Sequence, residues 1–169
     1  MTLTSPVALL ILLIATSWAQ DSYIRVRSSV AFVLHGERTP LNGYVRPTLT
    51  PQGAQQLYDQ GSFFRDRYLV NSTSESDTVD VRRPIVGISR DAIDNRQLTV
   101  FSNNNGYNVA SGLAFMQGFY PPDSQAIPDS SDAVSMVQLA NGSTAQYPLD
   151  GYQYPNIQTV SIVDPNSIW

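Results

Sequence analysis

Apolar residues fall in short runs divided by polar, glycine- and proline-rich stretches, and their spacing predicts two successive strand–loop–helix units. Ser28–Leu34 (SSVAFVL) is a brief β-branched run ending at a Gly/Pro loop, which predicts a buried strand. In TLTPQGAQQLYDQGSFFRDRYL, Thr50 stands where an N-cap belongs and Pro51 falls in the first turn. Ala54, Leu57, Tyr58, Gly61, Phe64 and Tyr68 then recur on one face at helical spacing. Gly53 and Gly61 lower helix propensity, which is expected where a helix packs tightly on a sheet.

The second unit begins at Gln97–Ser102 (QLTVFS), read as a strand, with Asn103–Gly106 as its turn. Val109, Leu113, Met116 and Tyr120 share a helical face, and Pro121-Pro122 stop the helix. Asn141-Gly142 marks the turn of a short hairpin within SMVQLANGSTAQYPL. The last stretch, from Asp150, has strand character, while Asn71–Asp80 and Asp123–Asp132 read as loops. In parallel α/β sheets, ligands bind beyond the carboxyl ends of strands, where loops turn into helices. His35 and Arg38 occupy that place after the first strand, and Ser102 to Tyr107 after the second.

Composition narrows the chemistry. The 169 residues suit one domain. Residues 1–19 read as a cleaved signal peptide: the apolar run Val7–Ala15 is too short to span a membrane, which takes about 20 residues, and small residues at Ser17 and Ala19 suit cleavage before Gln20. Residues 20–169 are then a secreted, extracellular product with no membrane segment. Asn71-Ser72-Thr73 and Asn141-Gly142-Ser143 are glycosylation acceptors consistent with export. Cysteine is absent, and His35 is the only histidine, which argues against zinc, haem or any other metal or cofactor site. The net charge of −4, with every basic residue a scattered arginine, argues against a nucleic-acid partner.

Three ordered blocks carry a resemblance. His35, Gly36, Arg38 and Pro40 in LHGERTP match the opening R-H-G-x-R-x-P of the histidine acid phosphatases, the phytase-like branch of the histidine phosphatase superfamily, often described as phosphoglycerate mutase-like. Leu49, Thr50, Gly53, Arg65, Arg67 and Tyr68 match the helix that follows, and SGLAFMQGFYPP is similar to a later block of the family. The resemblance covers about Ser28 to Pro122. It implies an α/β fold, the N-terminal portion of a three-layer sandwich, and hydrolysis of small phosphomonoesters through a phosphohistidine. His35 would be the nucleophile and Arg38 a phosphate clamp, since phosphoryl transfer rests on positioning and on cationic stabilisation of the oxygens.

The chain departs from the family pattern in three places. Leu34 replaces the arginine before the histidine, and Tyr107 falls at the place of the arginine that ends the family's R-S-T-D-x-D-R segment; Arg90 or Arg96 would substitute only in a different alignment. No second histidine follows, so the family's late H-D motif is missing from these 169 residues. The expectation is a domain that is partial, in which the strand at Val30–Leu34 lacks neighbours and exposes apolar faces. Impaired catalysis follows from the lost donors. The alternative is a non-catalytic secreted glycoprotein on the same fold.

Overall fold

The structure, a computed structural model, describes residues 25–70, 83–122 and 136–161. The signal peptide, the Asn71 acceptor and the loops at 71–80 and 123–132 lie outside the described residues. Two helices dominate: α1, Pro51–Tyr68, and α2, Gly106–Phe119. Strand β1, Val100–Asn103, leads into α2 and pairs in parallel with β4, Ile157–Val160, in the register Val100 with Ile157 through Asn103 with Val160. Between them, β2, Met136–Gln138, and β3, Thr144–Gln146, form an antiparallel hairpin. No described helix is long and apolar enough to cross a membrane.

The local signals explain where α1 begins. Thr50 is extended, and its Oγ1 accepts the Gly53 N–H at 3.0 Å with Pro51 at the start of the helix. At the other end of the chain, Gly142 takes a positive φ in the hairpin turn, and the Asn141 carboxamide oxygen accepts from both the backbone N–H and the hydroxyl of Ser143.

Packing departs from the expected sheet contact. The close partner of α1 is α2: a Cβ at Gly61 would overlap the Phe115 carbonyl, and one at Gly118 the Tyr58 carbonyl. Gly61 and Gly118 are therefore explained by a close helix–helix crossing, whereas Gly53 faces the Glu37 backbone. Leu69, Met116, Phe119 and Tyr120 form the buried core, flanked by Phe64, Ile88, Ile93, Leu98, Val100 and Phe115. Of the expected face, Met116 and Tyr120 are buried while Val109 and Leu113 are half-buried; the buried side also takes in Ser111, Ala114, Gly118 and Phe119, because the glycine side faces α1.

Arg65, a residue of the second matched block, is a structural clamp. Its guanidinium donates to the carbonyls of Arg90 and Phe119 and pairs with Asp91 at 3.2 Å. Buried Tyr120 donates its hydroxyl to the Ser89 carbonyl at 2.7 Å, and burial pushes that hydroxyl's pKa up. Buried Gln153 donates to the Asp91 carbonyl and accepts from Ile93, tying the approach to β4 onto the same loop.

The buried strand expected at Ser28–Leu34 is not formed. The chain just before it makes a parallel bridge, Val26 to Ile85, and the segment itself then runs exposed, Phe32 at 97% and Leu34 at 88%. An apolar run reads as a strand from its own residues, but a ladder needs neighbours, and no described strand pairs with it. The apolar side chains of Val30, Phe32 and Leu34 are exposed.

Candidate functional site

Residues 35–38 are held between the first turns of the two helices. On the α1 side, Thr50 N–H donates to the Glu37 carbonyl at 3.0 Å and Thr50 Oγ1 to its carboxylate at 3.0 Å, while Glu37 N–H donates to Gln56 Oε1. A Cβ at Gly36 would overlap the Gly53 carbonyl, and one at Gly53 the Glu37 backbone, so both glycines are required by the closeness of loop and helix. Beyond the loop, Arg38 bridges Leu49, and Thr39 N–H donates to the Thr48 carbonyl. On the α2 side, the buried Gly36 N–H donates to Ser111 Oγ at 3.2 Å.

This seating brings three of the expected residues together. The His35 ring stands edge-on to Tyr107, with centroids 5.1 Å apart and planes at 86°. The Arg38 guanidinium carbon lies 4.9 Å from the centroid of the same Tyr107 ring, a cation–π distance. His35 Nδ1 lies 2.8 Å from the Gly36 carbonyl oxygen. A carbonyl can only accept, so the bond assigns a proton to Nδ1 and leaves the Nε2 lone pair of the neutral ring outside it. Arg38 Nε is buried without a hydrogen-bond partner. Such a donor carries an uncompensated desolvation penalty of about 1–3 kcal/mol, which an anion can offset.

The other positions divide plainly. Leu34 is exposed and brings no polar group to the site. Ser102 donates to the neighbouring Asn103 carbonyl, and Asn103 Oδ1 accepts from Asn105 N–H, so the asparagines form the turn into α2. Arg96 is held by Asp94 through its Nε and a terminal nitrogen, in the loop before β1. Arg90 lends its carbonyl to Arg65. Arg67 lies over Tyr68 on α1. Asn141 sits exposed at the hairpin turn. The residues that sequence reasoning missed are Gln56 and Ser111. Their spacing from the loop is long, and the only signal for Ser111 was its place in the third matched block, four residues after Tyr107.

Residues 41–159 match the family model of the histidine phosphatase superfamily (branch 2). The match takes in Tyr107, Ser111 and Asn141 and starts beyond His35 and Arg38. No curated protein matches the chain. The chain belongs to the histidine phosphatase superfamily, and its helices around a small parallel sheet agree with an α/β, phosphoglycerate mutase-like fold.

Proposed function

We propose that this superfamily member is a secreted histidine acid phosphatase-like protein that takes small phosphomonoesters and turns them over poorly at His35. The observation that carries the reading is the trio His35–Tyr107–Arg38, in which a nucleophile candidate and an incompletely satisfied guanidinium flank one aromatic ring. The Nε2 lone pair would attack phosphorus, forming an N–P bond as the ester oxygen leaves with the bonding pair and takes up a proton. Water would then hydrolyse the phosphohistidine, releasing phosphate and restoring the imidazole. Arg38 would stabilise the equatorial oxygens in both steps.

Two residues support impairment. Leu34 offers no donor where the resemblance places an arginine, and Tyr107 presents an aromatic ring to His35 and Arg38 where a second arginine would stand. Loss of one preorganised donor costs roughly 100- to 1000-fold in turnover, and losses within one site do not add simply. The test is hydrolysis of an aryl phosphate at acid pH by the purified secreted protein. Slow turnover abolished by His35→Ala supports the reading, and turnover indifferent to that change overturns it. Absence of both turnover and phosphate binding favours the second reading, a non-catalytic glycoprotein on the same fold. That reading draws on the exposed Asn141 acceptor and on Tyr107 engaging Arg38.

A further inference from the structure

The geometry points to Ser111 as a positioning residue for His35, fixing which imidazole nitrogen is free; its catalytic meaning rests on the reading of His35 as nucleophile. Ser111 is 4% exposed, in the interior of α2, and its hydroxyl donates to the Tyr107 carbonyl one turn earlier at 2.7 Å. With its proton committed there, the oxygen presents lone pairs outward, and it accepts the Gly36 N–H. That bond fixes the peptide plane between His35 and Gly36. The next plane is fixed by Glu37 N–H donating to Gln56, and its carbonyl is the Gly36 oxygen that takes the proton of His35 Nδ1.

The connections close a ring. Tyr107 touches His35 through its side chain and holds Ser111 through its backbone, and Ser111 holds the glycine that orients His35. A free imidazole chooses its tautomer by its own preference and by water. Here the choice is imposed through the Gly36 carbonyl, in the manner of the outer partners that set histidine tautomers at other sites. Ser111 touches no reacting atom and acts only through Gly36.

A single histidine makes the test clean. The protein is labelled with nitrogen-15 at histidine, and the two ring nitrogens are read by NMR at a pH where the ring is neutral. The wild type is expected to show the Nδ1–H form in excess. Ser111→Ala should lower the ratio of that form to the Nε2–H form by about three- to tenfold, the range given by losing one buried hydrogen bond, and Ser111→Thr, which keeps the hydroxyl, should restore it. Should Ser111→Ala fail to fold, Ser111→Cys fills the volume with a weakly bonding thiol and is expected to shift the ratio in the same direction. A wild-type pattern in the folded Ala or Cys variant overturns the assignment, as does a Thr variant that behaves like Ala. No turnover enters this readout, so failure of the phosphatase reading and failure of the Ser111 assignment are seen separately.

Discussion

The imidazole of His35 meets the ring of Tyr107 edge-to-face, and the Arg38 guanidinium also lies against that ring, so one side chain of α2 engages both the nucleophile candidate and the phosphate-clamp candidate of the loop. Among the described residues, no hydrogen bond of the Tyr107 hydroxyl takes part. Tyr107→Phe is therefore expected to leave stability within about 0.5 kcal/mol of the wild type. Tyr107→Ala removes an aromatic pair and a cation–π contact and should cost about 1–2 kcal/mol. Urea unfolding of the two variants checks this.

The seat of the loop on α1 depends on Gly53. Gly53→Ala puts a methyl group into the Glu37 backbone, where nothing flexible can give way. Overpacking of this kind costs about 1–3 kcal/mol. The expected result is a lower melting temperature together with a weaker phosphate interaction, measured by thermal unfolding and by titration with inorganic phosphate.

Acid should weaken the loop before β1. Arg96 bonds both oxygens of Asp94 and its backbone N–H adds a third bond, holding the carboxyl at about 2. A carboxylate depressed on folding stabilises the protein above its unfolded pKa of about 4, and the stabilisation fades as pH falls through 2. Urea midpoints should therefore drop between about pH 4 and pH 2, and Asp94→Asn should flatten that part of the profile.

Exposure ranks two large apolar residues in the opposite order from their hydrophobicity. Phe32 is 97% exposed, and Phe32→Ser should change stability by less than about 0.5 kcal/mol. Leu57, 1% exposed on α1, should cost about 2–5 kcal/mol when cut to alanine. Equal losses at the two positions would show that the 28–34 segment is packed.

What was legible in the sequence is what local chemistry decides. Thr50 and Pro51 start α1, and Asn141-Gly142 turns the hairpin, because caps and turns bond within a few residues. His35 and Arg38, singled out from the motif order, do lie against Tyr107 at the start of α2, although the strand expected before His35 is not formed. What escaped depends on partners distant in the chain. Arg65 finds carbonyls 25 and 54 residues away, and Gly36 finds Ser111 at a separation of 75. Neither pairing leaves a periodicity or a spacing to read. The run Ser28–Leu34 shows the converse, since strong strand composition forms no ladder without a neighbour.

The most direct test of an impaired phosphate grip is to return it. Aryl phosphate hydrolysis is measured at acid pH for the wild type, for the double variant Leu34→Arg/Tyr107→Arg, and for that double variant carrying His35→Ala. The account predicts that the double variant exceeds the wild type by at least about 100-fold, the effect of one regained donor, and that His35→Ala removes the gain. A double variant that folds and binds phosphate yet hydrolyses no faster than the wild type would contradict it.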